Sequence, residues 1–155
     1  MGDMVDVDFE LKSQLEQIAV VQQSCMCLHL QKAARTAARR FDEAFRPLGI
    51  TSGQYSLLIA LACRHPPSIG VLAKDMAMDR TTITANIKPL RRRGLIELVP
   101  DPKDARSRLV LLTTPGRALL KEAIPLWRTA QETTVEALSK EEVEQFRRGL
   151  KAVAG

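Results

Sequence analysis

Residues 79–112, DRTTITANIKPLRRRGLIELVPDPKDARSRLVLL, decide the fold. They read as one helix followed by two strands joined through a tight basic loop. Asp79 suits the N-cap, where a carboxylate accepts the free N–H groups of the first turn. Ile83, Ile87 and Leu90 fall at i, i+4 and i+7, so one face is apolar and buried. Thr81, Thr84, Ala85, Lys88 and Arg92 fall on the opposite face, small and polar near its start and cationic further on. A helix of this kind brings its first turns to base edges and its later residues to phosphates. Gly94 ends it. Leu95–Val99 and Arg108–Leu112 are apolar, strand-forming runs, and the turn residues at 100–107 join them into a hairpin, a wing.

Charge follows the same boundaries. The chain carries 23 Lys and Arg against 18 Asp and Glu, a net of +5. Between Arg80 and Arg108 lie eight cations and three acids, so this span, about one-fifth of the chain, holds the whole excess. A charge run is ordinarily a solvated face. Here the cations coincide with a polar helix face and a basic hairpin, which points to nucleic acid. Aromatic residues make up only 4%, which argues against single strands or RNA read by base stacking and leaves the duplex.

The remaining composition narrows the class. A chain of 155 residues with 45% hydrophobic and 26% charged residues is an ordinary globular protein able to bury a core. No apolar run approaches the length of a membrane span, and the acidic start MGDMVDVDFE is no secretory leader, so a cytoplasmic location is expected. Three cysteines without a CxxC pair indicate neither a disulfide framework nor a metal site, and no cofactor is expected. No nucleophile has a paired base or oxyanion device, so an enzyme is not expected.

Outward from the central stretch, residues 9–46 lack Gly and Pro and read as one long helix or two in series. Leu11, Leu15, Ile18, Val21 or Gln22, Cys25 and Leu28 recur on it as a stripe suited to a partner helix. Thr51–Gln54 is a capping box, with Ile50 stapling to Tyr55, that opens a largely buried helix over about 52–64. Ser68 caps a short helix over about 69–76, and Ala77-Met78-Asp79 turns into the helix at 80: a helix-turn-helix. Beyond the wing, Thr114-Pro115 starts a helix with Pro at N1 and a stripe from Leu119 to Ala137. Ser139–Glu142 is a further capping box, before a last helix carrying Val143, Phe146, Leu150 and Val153. Prolines inside helices, Pro89 and Pro125, are expected to kink them. The fold class is therefore mainly α with a small β-hairpin. A two-fold mate is the simplest cover for the terminal stripes, and a dimer presents two recognition helices one turn of DNA apart, about 34–36 Å.

From about residue 24 to 150 the chain resembles the MarR family of transcriptional regulators. The segments that carry the likeness are LGITSGQYSLLIAL (48–61), LAKDMAMDRTTITANIKPLRRRGLI (72–96) and DPKDARSRLVLLTTPG (101–116). The resemblance implies N-terminal dimerisation helices over 1–46, a winged helix-turn-helix DNA-binding domain over 47–113 and C-terminal dimerisation helices over 114–155. It implies a homodimer on a pseudo-palindromic duplex operator, usually a repressor released by a small phenolic or aromatic-acid effector or by thiol oxidation. It places the recognition helix in the major groove, with Arg80, Thr81, Thr82, Thr84, Ala85, Lys88 and Arg92 expected to contact the DNA. The wing contributes Lys103, Arg106 and Arg108, with Arg106 in the minor groove and Asp104 holding the tip by an ion pair.

Cys27 lies 24 residues before Thr51, the position of the reactive thiol in peroxide-sensing members of that family. Those members hold the thiolate with two tyrosines. Gln31 and Phe41 stand at the matching positions, and neither is expected to replace a phenol. A packing or ligand-pocket role for Cys27 is therefore preferred over a redox sensor. Cys27, Gln31, Arg35 and Tyr55 are candidates for lining an effector pocket, where Arg35 suits an anion or phenolate. Cys63, at a helix end, is expected to pack. The alternatives are a thiol-based redox-sensing repressor through Cys27 and an architectural DNA-binding protein with no effector.

Overall fold

The computed structural model describes residues 3–63 and 65–155, with the backbone alone for 3–11, 13 and 105. Leu11, first of the expected N-terminal stripe, thus has its side chain outside the described residues. The architecture is mainly α with one two-stranded antiparallel hairpin. Its elements are helices α1 (Asp3–Ser24), α2 (Met26–Phe45), α3 (Ser52–Ala62), α4 (Ile69–Asp75) and α5 (Arg80–Arg92), strands β1 (Ile96–Asp101) and β2 (Asp104–Leu112), then α6 (Thr114–Val135) and α7 (Lys140–Ala154). The chain forms two compact units, residues 1–37 and 38–155.

In the first unit the expected helix is two helices in series. Cys25 interrupts it, yet Cys25 N–H donates to the Val21 carbonyl at 2.8 Å and His29 N–H to the Cys25 carbonyl at 3.2 Å, so the backbone nearly carries through. Leu15, Ile18, Val20, Val21, Met26 and Leu28 are exposed along it.

In the second unit one core gathers α3, α4, α5, the hairpin and α6 around Phe45, Leu57, Leu58, Leu72, Ile83, Leu90 and Val110. Local chemistry sets the boundaries. Thr51 and Gln54 close a reciprocal capping box at α3, and Ser139 and Glu142 another at α7. The α4 helix ends in a Schellman turn: Met78 N–H reaches the Ala73 carbonyl and Ala77 N–H that of Lys74, with Ala77 at φ 51. The α5 helix ends likewise, on Gly94 at φ 66, with Leu95 N–H donating to the Leu90 carbonyl at 3.0 Å. Leu90 and Leu95 are both buried, as the apolar closure of this motif prefers. At the foot of α6 a Cβ on Gly116 would stand 2.1 Å from the Leu95 carbonyl oxygen, so only glycine lets the helix approach the hairpin this closely.

Several expectations need correction. Ile59, on the helix expected over 52–64 to be largely buried, and Cys63, expected to pack, lie at the surface. Thr113 is the N-cap of α6, which puts Pro115 at N2 rather than N1, where its missing N–H is equally harmless. Ala137 lies in the turn after α6 rather than on its stripe. The hairpin strands also run further into the wing than the apolar pattern shows. β2 begins at Asp104, and only Pro102 and Lys103 remain at the tip. Polar residues pair here through backbone groups while their side chains stay in water, so alternation carries no signal.

Candidate nucleic-acid interface

The recognition helix is fixed at its start by Asp79. One carboxylate oxygen accepts the Thr82 amide at 2.7 Å and the other the Thr82 hydroxyl at 2.8 Å. These two bonds, the amide first, hold the Asp79 carboxyl below its usual range. Ile83, Ile87 and Leu90 bury the inner face, worth about 1.5–3 kcal/mol each against exposure. This fixes the roll of α5 and sends the opposite face outward. The helix continues through Pro89 to Arg92.

On that outward face Arg80, Thr81, Thr84, Ala85 and Lys88 line one shallow depression of about 400 Å³. A second, of about 460 Å³, lies between α5 and β1, lined by Thr84, Ile87, Lys88, Arg91, Arg92 and Leu98. The structure therefore brings together six of the seven candidates on α5. Thr82 differs: it is exposed, but its hydroxyl proton serves the cap. The Thr84 hydroxyl donates to the Arg80 carbonyl at 2.7 Å, leaving its lone pairs and methyl outward. Thr81 is exposed, and its hydroxyl has no partner among the described residues. Arg80 lies over α4: a Cβ on Gly70 would stand 3.1 Å from its Nη2.

The three arginines at 91–93 separate as 100° steps require. Arg91 and Arg92 line the second depression, whereas Arg93, also exposed, donates to the Leu48 and Gly49 carbonyls. Arg91 was missing from the sequence-derived set because three adjacent arginines give no sign of which ones the fold leaves free.

On the wing, Pro100 pairs with Arg108 and Asp101 with Asp104, so residues 105–107 bulge from β2. Asp101 accepts the Lys103 amide and Asp104 the Arg106 amide, both at 2.9 Å. The expected ion pair of Asp104 is thus a hydrogen bond to the backbone of the very residue it positions. Lys103 occupies the tip, Arg106 the bulge and Arg108 the strand behind it, all exposed.

The effector candidates belong to the two different units. Cys27, Gln31 and Arg35 form a row one turn apart on exposed α2. Arg35 Nη1 donates to Gln31 Oε1 at 3.3 Å, and Gln31 Nε2 donates to Cys27 Sγ at 3.2 Å. Gln31, not expected to replace a phenol, is nevertheless a donor to the sulfur. Tyr55 belongs to the core of the second unit, stacked on Phe45 at 4.4 Å, and burial raises its phenol pKa. Among the described residues no cluster of three His, Cys, Asp or Glu is placed to hold a metal, and no helix is long and apolar enough to cross a membrane.

Comparison with known proteins bears on this geometry. The MarR family model matches residues 50–107. The HTH-type transcriptional repressor NicR of Pseudomonas putida is 36% identical over 110 residues, which are 71% of this chain and 70% of that one. Among solved structures, a cysteine-to-serine mutant of Escherichia coli MarR complexed with operator DNA superposes with a TM-score of 0.79 at 25% identity, covering 88% of this chain and 98% of that one. Bordetella bronchiseptica BpsR, whose DNA binding is regulated by 6-hydroxynicotinic acid, gives 0.77 at 27% identity, over 84% and 94% of the two chains.

Proposed function

Because this chain belongs to the MarR family of transcriptional regulators, we propose that it is a homodimeric repressor that binds a pseudo-palindromic duplex operator and is released by a small aromatic acid or phenol. Its relatives are regulators and not enzymes. Residues 47–113 read the DNA, and residues 1–46 and 114–155 make the dimer. The observation that carries the reading is the two-sidedness of α5, with Ile83, Ile87 and Leu90 buried and Arg80, Thr81, Thr84, Ala85 and Lys88 gathered outward. Thr81, Thr84 and Ala85 are short enough to let the helix approach base edges. Arg80, Lys88, Arg91 and Arg92 meet phosphates on either side. Arg106 enters the minor groove from the bulge, flanked by Lys103 and Arg108.

The acid effector is supported by the BpsR likeness and by Arg35, an exposed cation on α2 suited to a carboxylate or phenolate. A second reading is favoured by one contact: the Gln31 amide on Cys27 Sγ is a donor that suits a thiolate. Operator release measured by anisotropy separates the two. We expect 6-hydroxynicotinate or a related aromatic acid to release wild type and Cys27→Ser alike, with low peroxide releasing neither. Release of wild type by peroxide, abolished in Cys27→Ser, would establish the thiol reading instead.

A further inference from the structure

Arg93 makes contacts of very long range in the sequence. Its Nη1 donates to the Gly49 carbonyl at 2.8 Å and its Nη2 to the Leu48 carbonyl at 3.0 Å, across 44 and 45 residues. Those carbonyls close the 3-10 turn Arg46–Leu48 that extends α2. A helix C-terminus leaves such oxygens without intrahelical partners and carries partial negative charge, so a forked cation is well matched to it. The turn is rigid on its own account. Gly49 sits at φ 63 with its N–H on the Arg46 carbonyl, and Asp42 accepts the Ser52 amide just beyond. On the other side, Pro89 has no N–H to donate back along the helix, so one bond fewer joins the last turn of α5 to the turns before it.

We propose that Arg93 is a positioning residue for DNA reading. By tying the C-terminal end of the recognition helix to the α2–α3 turn, it sets the angle at which Thr81, Thr84 and Ala85 meet the bases. Burial of Ile83, Ile87 and Leu90 fixes the roll of α5, and the Arg93 fork fixes its far end. The proposal rests on the DNA-binding reading of α5. It divides the arginine triplet by role: Arg91 and Arg92 add phosphate contacts, whereas Arg93 adds none and acts through geometry.

The test compares wild type, Arg93→Ala, Arg93→Lys and Arg92→Ala for binding to an operator selected from random duplexes and to a scrambled duplex, across salt. Amide hydrogen exchange on the free proteins runs alongside. For Arg93→Ala we expect operator affinity to fall about tenfold, the size of one lost base contact. Scrambled-duplex affinity and the salt slope stay as in wild type, while exchange rises over residues 90–95. Arg93→Lys, which keeps a donor, recovers part of the operator preference. Arg92→Ala weakens both duplexes and lowers the salt slope by about 0.9. If Arg93→Ala lowers the slope as Arg92→Ala does and keeps the operator preference, Arg93 is a phosphate contact and the proposal is wrong. Wild-type operator preference in Arg93→Ala overturns it too. Raised exchange in Arg93→Ala combined with no salt-dependent duplex binding by wild type rejects the DNA-binding reading itself and leaves Arg93 a structural tie only.

Discussion

Helices α5 and α7 carry the same kind of apolar stripe and meet opposite fates. In α5, Ile83, Ile87 and Leu90 are 1%, 3% and 0% exposed; in α7, Phe146, Leu150 and Val153 are 49%, 39% and 68% exposed. Both helices are capped at their starts, Asp79 on Thr82 and Ser139 with Glu142. Period and caps therefore define a helix and its sticky face without saying what covers that face. For α5 the cover is the chain's own core. For α7 it lies elsewhere, and the proposed homodimer supplies it.

The contrast breaks most readily at its extremes. Leu90→Ala leaves a cavity in a closed core and should cost about 2–5 kcal/mol, with a melting temperature that falls equally at all protein concentrations. Phe146→Ala should leave the monomer's fold intact and act on assembly, since the ring counts twice in an isologous interface at about 1.5–3 kcal/mol each time. Sedimentation should then show dissociation, and the concentration dependence that dimerisation gives the wild-type melting temperature should weaken. A Phe146→Ala protein that sediments as wild type does yet melts as low as Leu90→Ala would mean that the α7 face is covered within one chain.

Within the DNA-facing region the next effect divides helix from wing. Thr81→Ala should change which operator bases are preferred, at about 1–3 kcal/mol per base contact. Arg106→Ala should weaken binding to every sequence, most of all where an A·T-rich minor groove lies under the wing. Wild-type binding by Arg106→Ala, measured on A·T-rich and G·C-rich flanks, removes the wing from the interface.

The smallest effect concerns the cap. The Thr82 amide and hydroxyl depress the Asp79 carboxyl pKa. A depressed folded pKa stabilises the native state above the ordinary carboxylate range, and this is lost as pH falls through the folded value. Urea midpoints should therefore drop on acidification, and Asp79→Asn should drop less steeply. Equal steepness in the two proteins would mean that the charge at Asp79 contributes nothing to the fold.

What was legible in the sequence follows the same physics. Caps are local chemistry, so Thr51, Ser68, Asp79 and Ser139 mark their helix starts to the residue. The buried face of α5 was legible because a closed core enforces the 3.6 period. The hairpin tip was not, since Asp104 pairs with Asp101 by backbone and residues 105–107 bulge around an aspartate-bound amide. Nor was the division of Arg91, Arg92 and Arg93, which depends on carbonyls more than 40 residues away. Gln31 as donor to Cys27 follows from their one-turn spacing, but only a search for donors other than phenols finds it.

The central claim is that the outward face of α5 and the wing bind the DNA backbone. The salt dependence of duplex binding tests it most directly. A dimer neutralising about eight phosphates should give a log–log slope of affinity against salt of about −7. A slope near zero, with binding otherwise intact, would contradict the account.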